Sequence, residues 1–138
     1  MLEVDLIVIG AGPGGYVGAL RAAQLGMRVA LIEKQELGGT CLNVGCIPSK
    51  TLLYASQQYS WIQKHGESWG ICGTVTAQLA TMMERKHDVV KGFRAGIQAL
   101  CQRAKVQLLQ GSAELQGGGR IRLSTGEEVQ GKWILLAT

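Results

Sequence analysis

Cys41 and Cys46 stand five positions apart in Gly38-Gly39-Thr40-Cys41-Leu42-Asn43-Val44-Gly45-Cys46-Ile47-Pro48-Ser49-Lys50. Upstream of them lies Gly10-x-Gly12-x-x-Gly15. A thiol pair can cycle between dithiol and disulfide, and a glycine pattern of this kind can cradle the phosphates of a dinucleotide. Together they point to electron transfer between sulfur and a nucleotide cofactor.

The spacing constrains the thiols. Five residues of regular helix rise about 7.5 Å, more than the roughly 7 Å that bridged Cα atoms tolerate. If Cys41 and Cys46 bond, Leu42–Gly45 is not regular helix, and Gly45 supplies the backbone freedom. A helix starting near Cys46 or Pro48 sets its positive end beside the sulfurs, with Lys50 in or near its first turn. Both features predict a lowered thiol pKa and a reducible bond. Three uses compete for such a pair: a structural disulfide, a zinc site and a redox disulfide. Cytoplasmic chains rarely keep structural disulfides. Cys41, Cys46, Cys72 and Cys101 lack the close pairing of zinc ribbons, so no metal is expected. The redox reading fits both spacing and neighbours. Cys72 and Cys101 read as ordinary buried or half-buried thiols.

The phosphate site has a matching context. Residues 5–9 form an apolar strand, and Pro13 suits the first turn of a helix that runs to about Leu25 and stops at Gly26. In this setting Gly10 allows the sharp turn, Gly12 lets the backbone approach a pyrophosphate, and Gly15 lets helix and strand pack closely. Ala19 is a further small residue on that contact. The next strand, 28–32, ends at Glu33, where an acid bonds ribose hydroxyls. The unit is a mononucleotide-binding half. These features alone leave NAD and FAD both open.

The remaining elements place these motifs. Residues 38–45 read as a glycine-rich loop. Ile47, preceding a proline, is biased away from helix, and a helix is predicted from about Pro48 to Lys64. Thr76 to Ala104 carries Leu79, Met82, Met83, Val90, Phe93, Ile97, Leu100 and Ala104 at helical spacing, one apolar stripe predicted to face the core. Gly92 and Gly96 are expected to mark close approach of another element. Residues 105–110 are predicted as a third parallel strand, 112–130 as a short antiparallel meander, and 132–137 as a fourth, buried strand. Trp61, Trp69 and Trp133 are read as packing residues, and His65 and His87 as solvated helix residues. The fold class is α/β: a parallel sheet with helices and a small antiparallel β-meander.

The 138 residues suffice for one core, with 46% apolar and 17% charged residues. A net charge of +4 without a basic stripe argues against nucleic acid. No apolar stretch has the length of a membrane span, and the N-terminus lacks a basic, apolar-cored leader. A soluble, cytoplasmic protein is expected. The closing run Trp133-Ile134-Leu135-Leu136-Ala137-Thr138 reads as a strand without a cap, so the expectation is a longer protein.

The thiol segment resembles the active-site signature of the class I pyridine nucleotide-disulfide oxidoreductases, and the resemblance covers essentially the whole chain. Leu42, Ile47 and Ser49 are most similar to the dihydrolipoyl dehydrogenase branch, as is Met82-Met83-Glu84-Arg85-Lys86 through Gly92. Glutathione and trypanothione reductases carry Lys where Ser49 stands, and mercuric reductases are the nearest rival. The resemblance implies a Rossmann-like FAD-binding domain over 1–138, with the NAD-binding and C-terminal dimerisation domains of the family absent. It implies that Gly10, Gly12 and Gly15 hold the FAD pyrophosphate and Glu33 the ribose. Gly39, Thr40 and Cys41 would run along the cofactor, Lys50 would lie near the flavin, and Ala113 would meet the adenine. Ala137-Thr138 would begin a further flavin-contacting segment. Cys41 would meet the dithiol substrate and Cys46 would lie against the flavin. The implied reaction oxidises protein-bound dihydrolipoamide, with FAD as carrier and NAD⁺ as acceptor. The implied partners are a second copy of the full-length protein and the lipoyl-bearing proteins of 2-oxo-acid dehydrogenase or glycine-cleavage complexes. The family's His-Glu pair has no match here, so these residues alone are expected not to turn over. A truncated nucleotide-binding module without catalysis and a thiol sensor are the rivals.

Overall fold

A computed structural model describes residues 1–138. Strand β1 (Leu2–Ile9) feeds helix α1 (Pro13–Gln24), which returns to β2 (Val29–Glu33). A five-residue helix α2 (Gly39–Asn43) and a long helix α3 (Cys46–His65) follow, closed by a 3-10 turn at Gly66–Trp69. Helix α4 (Leu79–Arg103) leads to β3 (Gln107–Gln110), then β4 (Ala113–Gly117), β5 (Arg120–Leu123) and β6 (Glu128–Leu136).

The strands form one sheet in the order β3-β2-β1-β6-β5-β4. β1 pairs in parallel with β2 and β6, and β2 in parallel with β3. β4 and β5 are antiparallel, and β5 runs antiparallel to the start of β6. The predicted meander and the fourth strand are thus joined, because β6 carries both.

β2 shows why central strands read as unbroken apolar runs. Val29 and Leu31 pack with Ala19, Ala22, Ile97 and Cys101 on the helix side. Ala30 and Ile32 pack with Ile7, Ile121, Leu123 and Val129 on the meander side. Both faces are dry, so no position needs a polar residue.

Four expectations are corrected. Residues 38–45 are not all loop, since Gly39–Asn43 makes a helical turn. Helix α3 begins at Cys46, and Pro48 sits within its first turn, where a missing N–H costs no helical bond; Ile47 is therefore helical. The apolar stripe of α4 is only partly core. Val90, Ile97 and Cys101 are buried, whereas Leu79, Phe93 and Leu100 are exposed, and nothing lies within 4 Å of a side chain added at Gly92 or Gly96. The last strand is not buried along its length either: Trp133 is 68% and Leu136 61% exposed. β5 pairs only with Glu128–Gln130, so that edge of β6 is unpaired beyond Gly131. Trp61 and Trp69, read as packing residues, pack on each other at the surface as a tilted pair 6.1 Å apart.

Candidate active site

The parallel strands all end at one edge of the sheet. There the amide of Gly10 donates to the Ile32 carbonyl, that of Gly111 to Glu33, and that of Ala137 to Ile9. Beyond the C-terminal ends of such strands a doubly wound sheet opens its crevice. Here a groove of about 1010 Å³ is lined by Gly10, Gly12, Glu33, Gly39, Thr40, Cys41, Ala113 and Thr138 among others. Of the residues predicted for a cofactor, these eight are brought together. Gly15 lies behind the groove, packed so close to the Gly10 carbonyl that a side chain there would overlap it. Lys50 and Cys46 do not line the groove; both are exposed.

Glu33 is tied to the glycine turn. Its carboxylate accepts the Ala11 amide at 2.8 Å and the Gln35 amide at 2.9 Å. The same side chain thus fixes the loop between β1 and α1 and faces the groove.

The thiol segment is pressed against that turn. A side chain on Gly39, whose φ is +63°, would come within 2.7 Å of Gly12 Cα, so glycine alone permits this approach. Asn43 locks the bend: its Nδ2 donates to the carbonyls of Leu37 (3.0 Å) and Gly39 (2.9 Å). Its Oδ1 accepts the Arg94 Nε–H from α4. Arg94 also reaches Glu36 at 3.4 Å and lines the groove. Composition and spacing gave no sign of Arg94, which is 51 residues away in sequence; Asn43 was visible only as part of the thiol signature.

Cys41 and Cys46 both carry free thiols, and the Cys46 thiol is near enough to act on the ionisation of Cys41. Helix α2 ends at Asn43 and α3 starts at Cys46, so the intervening Val44-Gly45 breaks the helix as the spacing requires. At Cys41 the pKa is raised rather than lowered. Interaction with the Cys46 thiol, then burial, then repulsion from Cys46 push it up, against smaller lowering effects from the Cys46 amide and the Lys50 charge. Cys101 is buried, which also raises its pKa, and Cys72 is exposed rather than half-buried.

A second groove, of about 640 Å³, opens on the other side of Cys41. Tyr16, Leu42, Ile47, Phe93, Ile97 and Leu100 make its wall, with Gly92 and Gly96 leaving the space. Periodicity placed Phe93 and Leu100 in the core, and their spacing could not tell a core stripe from a groove lining. Neither histidine and none of the tryptophans lines either groove. No cluster of three His, Cys, Asp or Glu side chains is placed to hold a metal ion.

Comparison with known proteins agrees with this arrangement. Residues 4–138 match the family described as Pyridine nucleotide-disulphide oxidoreductase. The dihydrolipoyl dehydrogenase of Geobacillus stearothermophilus is 45% identical over 130 residues, which cover 94% of this chain and 27% of that protein. Dihydrolipoyl dehydrogenase 3 of Pseudomonas aeruginosa is 45% identical over 145 residues, covering 100% of this chain and 31% of that one. The solved structure of the Cu(II) complex of HOCl-induced flavoprotein disulfide reductase RclA from Escherichia coli aligns with a TM-score of 0.82 at 29% identity, over 100% of this chain and 29% of that one. The chain therefore spans less than a third of the length of these relatives. A matched length of nearly all its residues, joined to Cys41 on the wall of a glycine-lined groove, means that the chain belongs to the pyridine nucleotide-disulphide oxidoreductase family.

Proposed function

We propose that these residues are the flavin-binding and thiol portion of a dihydrolipoyl dehydrogenase, a cytoplasmic homodimer that oxidises protein-bound dihydrolipoamide with NAD⁺ as final acceptor. One observation carries the reading: Cys41 lies on the wall of both grooves. One groove suits a dinucleotide and the other an apolar dithiol.

The first groove fits FAD by its chemistry. Its volume exceeds the roughly 300–1,000 Å³ of pockets for drug-sized ligands. A glycine turn at the start of α1 presents backbone N–H groups to a pyrophosphate, and Gly14 leaves open space there. Gly10, Gly12, Gly39 and Thr40 would hold the cofactor, with Glu33 at the ribose and Ala113 at the adenine. Bound there, FAD supplies a two-electron carrier between thiols and nicotinamide.

The chain's own part is thiol exchange. One sulfur of the dithiol attacks Cys41 in the Cys41–Cys46 bond and forms a mixed disulfide, releasing Cys46 as thiolate. The second substrate sulfur then displaces Cys41. The substrate loses two electrons and two protons, and the pair gains them. The attacking substrate thiol needs a base. His65 and His87 lie outside both grooves, so these 138 residues bind flavin and exchange thiols without completing turnover.

The full-length protein assayed with dihydrolipoamide and NAD⁺ tests this. NADH formation is expected, abolished in Cys41→Ser. Gly96→Leu narrows the apolar groove and is expected to raise KM for dihydrolipoamide about tenfold, equivalent to about 1.4 kcal/mol. Reduction of Hg²⁺ without dihydrolipoamide oxidation would instead assign the thiols to a mercuric reductase. NADH formation by residues 1–138 alone would overturn the claim that the base lies elsewhere.

A further inference from the structure

The bridge between α2 and α4 has no part in the proposed thiol exchange. Asn43 has both donors and its oxygen engaged: two N–H groups on the Leu37 and Gly39 carbonyls, and the oxygen accepting from Arg94. The reversed amide would set oxygen against two carbonyls and N–H against a guanidinium, so the bridge fixes the orientation of the carboxamide. Arg94 is fixed in turn by Glu36 at 3.4 Å. Helix α2, which carries Cys41, has five residues and no side-chain N-cap bond. A helix that short has no stability of its own. Cys46 belongs to a different element, the 20-residue α3. The separation of the two sulfurs therefore depends on what anchors α2: Leu42 is buried in the core, and the polar anchor, which sets the direction of the turn, is the Asn43–Arg94 pair.

We infer that Arg94 is a positioning residue for the redox pair: acting through Asn43, it holds α2 so that Cys41 stays within bonding reach of Cys46. This deepens the proposed function and rests on the pair being redox-active. Oxidation of the pair joins the two sulfurs and releases two electrons and two protons, taken up by glutathione disulfide as it becomes two glutathiones. Anchoring favours the disulfide by raising the local concentration of one thiol at the other. Loosening α2 makes the pair easier to reduce.

The test equilibrates the chain in glutathione buffers of graded ratio, quenches in acid, alkylates free thiols and counts the Cys41–Cys46 bond by mass spectrometry. Arg94→Met is expected to lower the equilibrium constant for disulfide formation about tenfold, or about 30 mV for a two-electron couple. Arg94→Lys, which can donate to Asn43 but cannot fork to Glu36, is expected to recover most of that shift. Asn43→Ala is expected to match Arg94→Met, and the double variant to add nothing further. A midpoint for Arg94→Met within twofold of the wild type overturns the inference, as do shifts that add in the double variant. A merely structural arginine would lower the melting temperature and leave the midpoint alone. Should Arg94→Met fail to fold, Asn43→Ser carries the same expected shift and the same overturning result. A wild-type chain that forms no Cys41–Cys46 bond at any ratio strikes the redox reading itself, which is a different result.

Discussion

At Cys41 two sets of influences oppose each other. Lys50 and the Cys46 amide favour the thiolate, while the Cys46 thiol, burial and repulsion favour the neutral form and prevail. Two thiols in contact share the stabilisation available to one negative charge, so loss of the first proton makes the second harder to remove. In the reduced chain, alkylation of Cys41 by iodoacetamide is expected to rise with pH beyond the ordinary thiol pKa of about 8.5. Cys46→Ala removes the largest cause and is expected to move that profile to lower pH. Lys50→Met removes a cation and is expected to move it higher. Site-resolved mass spectrometry across pH reads both, and a profile that rises in Cys46→Ala would reverse the assigned cause.

At the scale of elements, two helices end in the same way with different residues. Helix α1 closes with the Gly26 amide on the Ala23 carbonyl and the Met27 amide on Ala22, and Gly26 has a φ of +89°. Helix α4 closes with the Lys105 amide on Gln102 and the Val106 amide on Cys101, and Lys105 has a φ of +59°. Both are Schellman ends, where glycine avoids the strain of a side chain in the left-handed region. Val106 packs beside Cys101 in the core, which holds the lysine in place. Lys105→Gly is expected to stabilise the chain by about 0.5–1 kcal/mol after the entropy cost of glycine is counted. That corresponds to a rise of roughly 2–4 °C in Tm, measurable by circular dichroism.

At the scale of the whole molecule, one carboxylate joins three neighbouring strands. Asp5 on β1 accepts the backbone amide of Arg28, just before β2, at 2.9 Å, and the Lys132 ammonium of β6 lies 2.9 Å away. The Lys132 contact first, then the Arg28 amide and guanidinium, hold its pKa well below the usual carboxylate range. A depressed carboxylate stabilises the fold fully above its unfolded pKa of about 3.9, and that stabilisation is lost as pH falls towards the folded value. Asp5→Asn is therefore expected to lower Tm at pH 6–7 by an amount that shrinks below about pH 4. Parallel thermal melts of wild type and variant across pH 2–7 measure it; a difference that grows in acid would contradict the assignment.

Local sequence determined whatever depends on local chemistry. The alternation from strand to glycine turn to helix at residues 5–33 is written in Gly10, Pro13 and Gly26. The helix break at Val44-Gly45 leaves the backbone irregular where a bond across five residues would need it to be, and eight of the predicted cofactor residues do share one groove. Tertiary structure decided whatever depends on which surfaces meet. Phe93 and Leu100 satisfy a core periodicity yet line a groove, because Gly92 and Gly96 leave a gap that no element of these 138 residues fills. Trp133 and Leu136 read as a buried strand yet stand exposed, because no helix or strand of these 138 residues packs over their side chains. The Cys41 thiol is made less acidic by Cys46, a neighbour brought close across a helix break. The arginine that bonds Asn43 comes from 51 residues along the chain. Periodicity reports that a face is apolar, whereas only packing sets what lies against it.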